Sequence, residues 1–351
     1  MTARQHRPTP GMFDTDLLLD RIAKTDHVLW RINALVEWER FRPILDGVFS
    51  IVPKGPGGRP PYDRMMMFKI IVLKHLYNIP DGKMEERLLG DLYFRVFLGL
   101  TMADPTPDEK TIWHFHDRLC QAGVILDLFA AFDEQLHAHG MVAKEGRIVD
   151  ASIVPVPVQH ISKKDRETLD RGEIPEEWKQ NPAIKAQRDT DAAWTRKHNK
   201  SYFGYKNHIK VDARTKLIRT FEVTPANMHD SQPMGILLDR EDDAGQDLYA
   251  DAAYVGEPIR CLLEKNDMKD RRHKKSMKNA PLSRYQKRRN KIKSKVRARV
   301  EHTFGAMRMK MGDIRIRSIG EIRATFVIGM RNLLYNVCRA DSLRRIQVEM
   351  G

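Results

Sequence analysis

Cysteine is scarce in this chain. It has three in 351 residues, Cys120, Cys261 and Cys338, and they stand far apart. That spacing excludes a disulfide framework and a CxxC pair, and the 13 histidines have no clustered cysteine partners for a structural zinc site. A reducing compartment such as the cytoplasm fits this usage. Long hydrophobic runs are absent too. No apolar stretch approaches about 18 residues, so no membrane-spanning helix is expected. The opening residues MTARQHRPTPGMFDTDLLLD lack the apolar centre of a signal peptide. The glycines of GPGGRPP, around Arg59, do not follow the pattern GxxxxGK[ST], so neither a phosphate loop nor a nucleotide cofactor is expected. Acidic residues are in deficit: 47 Asp and Glu against 61 Lys and Arg leave a net charge of +14. A chain this basic points to a polyanionic partner.

What is present divides the chain in two. With 41% hydrophobic residues it has material for ordinary cores, and its length suits two domains. Residues 1–140 read as mostly α-helical. Segments 13–47, 64–79, 83–90, 93–98 and 122–139 carry helical patterning. In the second, Met66, Ile70, Leu73 and Tyr77 recur at three-to-four spacing. PTPDEKTIWHFHDRL supplies start signals for another helix, with Asp108 the stronger cap.

The character changes after Lys144. GRIVDASIVPVPV is extended and β-branched, and Pro155 and Pro157 forbid a helix there. Strands are predicted near 146–154, 203–211 and 216–224, the last two forming a hairpin across Asp212–Thr215. A fourth is predicted near 247–251. The polar stretch 160–200 reads as a long loop with at most a short helix, and 231–241 as a helix. Residues 269–299 hold fifteen Lys and Arg against a single acid, Asp270. Such a run repels itself unless phosphates neutralise it, and a mobile loop is expected ahead of its helical part. A final apolar helix covers 320–338.

Three acids stand out by context. Asp150 lies within an apolar strand, Asp251 at the end of another between two alanines, and Glu301 in a strongly basic helix. Carboxylates are rarely buried unless paired or bound to a cation. Each alone reads as a cap or an ion pair. The three together suit a hard divalent ion, Mg²⁺ or Mn²⁺, of the kind that serves phosphodiester chemistry. On the helix, Ile292, Val296, Val300, Met307 and Met311 make an apolar stripe, with Thr303 or Phe304 filling the missing turn. Arg297, Glu301 and Arg308 share the neighbouring face.

Candidates for DNA contact are Arg59, Lys206, Arg288, Arg289, Lys291, Lys293, Arg297 and Arg308. Possible auxiliary groups are His208, His229, Asp230 and His302. His229 and Asp230 more often read as helix caps, and Lys206 and His208 also read as a polar edge strand. Trp194 and Tyr202 either stack on an unpaired base or pack a loop onto the core.

Longer motifs give a sharper resemblance. LVEWERFRPIL, GGRPPYDRMMMFKIIVLKHLYNI, FRVFLGL and PTPDEKTIWHFHDRL in the first part, and IVDASIV, AWTRKHNKSYFGYKNHIKVD, VTPANMHDSQ, YADAAYVG and RVEHTFGAMR in the second, cover nearly the whole chain. They resemble bacterial insertion-sequence transposases of the IS5 group, in the DDE superfamily. The resemblance implies an RNase H-like catalytic core over 144–338, with Asp150, Asp251 and Glu301 as the metal-binding catalytic triad. It implies a helical region over 1–140 that positions the DNA ends. The family pattern around the third acid is Tyr, Arg, Glu and Lys at spacings of three, four and seven. Here Arg297 and Glu301 fall into register, Arg308 replaces Lys, and Ser294 stands at the Tyr position. His114 and His116 stand where Arg-like residues are common, which weakens DNA contact from that helix at neutral pH. The implied activity is metal-dependent cleavage at transposon ends, with strand transfer into target DNA by a homodimer bound to double-stranded terminal inverted repeats at the nucleoid. The alternatives are a stand-alone nuclease of the same fold and a non-catalytic DNA-binding regulator.

Overall fold

The structure, a computed structural model, describes residues 14–49, 60–159, 161–197, 199–274, 276 and 281–350. It divides into two compact units between His116 and Asp117. The first is helical: α1 (Asp14–Ala23), α2 (Val28–Leu35), a 3-10 turn (Trp38–Phe41), α3 (Arg42–Val48), α4 (Arg64–Leu76), α5 (Asp81–Gly90) and α6 (Leu92–Leu98). α7 (Glu109–Gln121) runs across the division and starts where Asp108 Oδ1 accepts the Thr111 amide at 2.6 Å. α4 is buried almost all round rather than on one stripe, while Tyr77 lies just past its end and is exposed. Aromatic packing explains this, since Phe68 meets both Phe41 and Trp38. His116 is buried, its Nε2 3.3 Å from that of His75, so it faces the core of this unit rather than DNA.

The second unit begins with α8 (Ile125–Ala138) and β1 (Arg147–Pro155). α8 packs on the last helix, so the helical region expected over 1–140 contributes its final helix to this unit. The stretch read as a loop holds α9 (Lys163–Asp170), α10 (Glu176–Gln180), α11 (Pro182–Ala186) and an edge strand, β2 (Ala193–Lys197). The predicted hairpin is present as β3 (Lys200–Asp212) and β4 (Ile218–Pro225). Its turn is closed by Asp212 Oδ1, which accepts the amides of Arg214 and Thr215 at 2.9 and 2.7 Å. In place of one helix over 231–241 come two single turns, α12 (Met234–Leu237) and α13 (Arg240–Asp243); Asp239 caps the second and breaks the run. Then follow β5 (Asp247–Tyr249), α14 (Glu257–Lys265), β6 (Lys269–Asp270), α15 (Arg284–Met311) and α16 (Glu321–Met350).

The sheet is mixed. β1 pairs antiparallel with β3, which pairs antiparallel with β2 and β4; on its other edge β1 pairs parallel with β5, and β5 with β6. This is an RNase H-like core with a helical N-terminal region. One face is covered by α8, α15 and α16. Phe221 meets Phe129, and Asn207 and Asn332 exchange amide hydrogen bonds at 2.8 and 3.1 Å. The other face buries Val149, Leu248, Ala250 and Tyr254 against Met234, Leu237, Ile259 and Leu263. Gly204 (φ 151°) permits the closest crossing, since a Cβ there would stand 2.3 Å from the Val154 carbonyl oxygen. The start of β1 is anchored by fully buried Arg147, which donates to Asp212 at 2.7 Å and to Asp242 and Asp243 at 3.0 Å each. Complete pairing is what makes such burial tolerable.

Candidate active site

Strand register places the first two acids. Arg147 pairs with Leu248 and Ile148 with Tyr249, so two residues further on Asp150 stands level with Asp251. Asp251 lies two residues past β5 and caps a 3-10 turn, its Oδ1 accepting the Ala253 amide at 2.7 Å. Glu301 comes from α15, whose start is fixed by a reciprocal capping box between Ser283 and Gln286. α15 passes beside β1, and from it Arg297 reaches both carboxylates. Nη1 donates to Asp150 Oδ2 at 3.2 Å and Nη2 to Glu301 Oε1 at 2.8 Å. Asp150 Oδ1 accepts the Ala151 amide at 2.9 Å.

Burial dominates the electrostatics of Asp150. It pushes the carboxyl up to about 6, helped by the neighbouring Asp251 and opposed by the Ala151 amide and Arg297. Glu301 is 58% exposed. Three carboxylates are the oxygen donors a hard divalent ion prefers. Among the described residues no three such groups are yet drawn together closely enough to hold one. A cation nevertheless already lies between two of them, and it is the Arg297 guanidinium. The donor chemistry suits a divalent ion, and Arg297 occupies the place between two of the donors.

The remaining candidates scatter. Arg288, Arg289 and Lys291 are exposed on the first turns of α15, Arg289 lying over the Tyr285 ring. Ile292 is 59% exposed, contrary to the expected stripe, because the buried face of α15 starts only at Val300 and continues through Thr303, Met307 and Met311. Lys293 donates to the Arg272 carbonyl at 2.7 Å, and Arg308 pairs with Asp313 at 2.8 Å. Lys206 is engaged within the protein. Its ammonium donates to the Met228 carbonyl at 2.6 Å and meets Asp230 at 2.7 Å. His208 is fully buried, its Nε2 2.9 Å from Thr224 Oγ1, and burial lowers it to about 4, so it is neutral. His229 orders its own turn through Ser231, and His302 is exposed beside Glu301. Trp194 lies on β2 against Phe203. Arg59 and part of the expected loop, residues 275 and 277–280, lie outside the described residues.

Two groups near the acids escaped the sequence reading. The segment after β6 runs on beside β5, with His273 donating its amide to the Ala250 carbonyl at 3.1 Å. This brings His273 to Ser294 Oγ, 3.3 Å from its Nε2, at the position where the family pattern has Tyr. Burial, together with Arg297 and Lys293, lowers the imidazole. A single histidine among fifteen basic residues gave no signal of its own. Tyr254, three residues after Asp251, was hidden likewise inside an apolar motif.

One acid within β1, a second just past the parallel strand β5 and a third on a covering helix define a carboxylate site on an RNase H-like sheet. Residues 143–337 match the family described as the transposase DDE domain, and residues 17–118 match a transposase domain family, DUF772. The chain belongs to the DDE transposases, enzymes that cut DNA and transfer its strands. Among solved structures it is similar to the piggyBac transposase synaptic complex with hairpin DNA (12% identity over 93% of this chain and 74% of that one, TM-score 0.42). It is also similar to a pre-cleavage Mos1 transpososome (10% identity over 95% and 98%, TM-score 0.23). Both likenesses are remote.

Proposed function

We propose that Asp150, Asp251 and Glu301 hold a divalent ion, Mg²⁺ or Mn²⁺, and that the site cleaves DNA at the terminal inverted repeats of the protein's own element. The observation that carries this is the shared contact of Arg297. One guanidinium touches both Asp150 and Glu301, so these carboxylates, 151 positions apart in sequence, are already close enough to share a cation.

A bound divalent ion supplies Lewis acidity at the scissile phosphate. The chain's own residues do the rest. Asp150 and Asp251 are fixed on the sheet, Asp150 by the Ala151 amide and Asp251 by its capping role. Arg297, displaced from the carboxylates, is placed to bind a backbone phosphate. The exposed Arg288, Arg289 and Lys291 hold the duplex further along α15. The liberated 3′-hydroxyl then attacks target DNA at the same site. Two ends have to be held at once, which calls for a homodimer on DNA. Among the described residues no helix is long and apolar enough to cross a membrane; a place of action at the bacterial nucleoid is part of the same proposal.

The test is incubation of the purified chain with its own element ends and Mg²⁺ or Mn²⁺, followed by mapping of cut and joined strands. Cleavage at the repeat boundary and joined products support the reading. Cutting without joined products favours a nuclease, and an inert protein that still binds the ends favours a regulator.

A further inference from the structure

Tyr254 closes the 3-10 turn that Asp251 caps. Its backbone is held in place, for its carbonyl accepts from Arg272 Nη1 at 2.7 Å, and Arg272 is clamped by Asp270 at 3.0 and 2.7 Å. Its side chain is fully buried among Val149, Leu237, Leu248, Ala250 and Ile259. Yet among the described residues its hydroxyl has no hydrogen-bond partner. Burial first, and then the carboxylates of Asp150, Asp230 and Asp251, hold the phenol well above its ordinary value. It is therefore a neutral donor with its proton unused.

A buried hydroxyl without a partner loses its hydration and gains nothing in return. Phenylalanine would fill the same cluster without that cost. The hydroxyl is thus accounted for by an arrangement in which one of the nearby carboxylates accepts from it. Asp150 is the one whose surroundings have to change. Its Oδ2 is bound to Arg297, and when a divalent ion takes the place of that guanidinium the carboxylate loses a donor. Carboxylate ligands of metals are themselves held by hydrogen bonds, and these partners fix their orientation.

We propose that Tyr254 is a positioning residue of the metal site, its hydroxyl donating to the Asp150 carboxylate once a divalent ion has replaced Arg297 between Asp150 and Glu301. This rests on Asp150 being a metal ligand.

The test compares the full-length parent, Tyr254→Phe and Asp150→Asn, without DNA. Mn²⁺ affinity is measured by titration, and melting temperature without metal. The expected result for Tyr254→Phe is a loss of Mn²⁺ affinity of about tenfold, within the 10–100-fold typical of such partners. Its metal-free melting temperature should equal or exceed the parent's, because an unsatisfied hydroxyl has gone. A loss under threefold overturns the proposal. So does a loss accompanied by a lower metal-free melting temperature, which marks a packing role. If Asp150→Asn binds Mn²⁺ as the parent does, the metal reading of Asp150 fails and takes this proposal with it. That pattern is distinct from a neutral Tyr254→Phe beside a strongly weakened Asp150→Asn.

Discussion

Arg297 Nη1 lies 3.2 Å from Asp150 Oδ2, a contact between a helix and a strand that are 147 positions apart in sequence. The guanidinium neutralises a carboxylate that burial otherwise penalises, and it fills the gap where the proposed divalent ion would sit. Removing it as Arg297→Gln should therefore act in two directions. Mn²⁺ binding without DNA should tighten several-fold, because a competing cation is gone. Metal-free stability should fall, because Asp150 is left with an unpaired buried charge. Cleavage should also fall, since a phosphate contact is lost. Titration calorimetry and melting curves check the first two, and weaker Mn²⁺ binding would show that Arg297 supports the site rather than occupying it.

Asp150 also sets a pH dependence. Its carboxyl titrates near 6 in the folded chain, against an ordinary value near 3.8. The folded state keeps the proton longer, so stability is lost as pH rises from about 4 to about 6 and is level above that. Asp150→Asn removes this loss. The variant's melting temperature should match the parent's near pH 4 and exceed it at pH 7, the gap amounting to at most about 3 kcal/mol. A pH-independent difference would contradict the raised carboxyl. In the parent, divalent-ion affinity should rise with pH through the same window.

The exposed cations at the start of α15 should bind DNA without sequence preference. Charge reversal of Arg288, Arg289 and Lys291 to Glu should weaken duplex binding at moderate salt by at least tenfold. It should also flatten the dependence of log K on log salt by about 2–3. Melting should barely change, because these side chains are exposed. Unchanged binding, read by fluorescence anisotropy, would remove this segment from the interface.

The sheet depends on one glycine more than on the others. At Gly204 a Cβ would meet backbone at 2.3 Å, whereas at Gly245 (φ 77°) it would meet open space. Gly204→Ala should cost more than about 2 kcal/mol by strain and overpacking, and Gly245→Ala about 1 kcal/mol. Thermal melts of the two variants check the order.

Much of this was legible in the residues. Alternation and β-branching marked β1, β3 and β4, and the capping residue Asp108 marked one helix start. An acid inside an apolar strand marked Asp150. Other features have no local signature. β6 is two residues long and is defined by its partner, so neither it nor His273 beside Asp251 could be read from spacing. Ile292 fits the apolar period of α15, but it stays exposed, while residues 272–274 meet that end of the helix at Asn290, Lys293 and Ser294. Lys206 and His208 carry the chemistry of a DNA face, yet the sheet turns them toward Asp230 and Thr224, and only the fold decides which partner a polar side chain meets.

The central claim is that three carboxylates act as one unit on DNA. The most direct measurement is the rate of element-end cleavage by Glu301→Gln at saturating DNA with Mg²⁺. Glutamine keeps the size and helix propensity of the side chain and removes its charge. The account predicts a loss of several orders of magnitude at unchanged DNA affinity, matched by Asp150→Asn and Asp251→Asn. If Glu301 were only the exposed partner of Arg297, worth about 0.2–0.5 kcal/mol, the variant would cut within a few-fold of the parent, and that result would contradict the account.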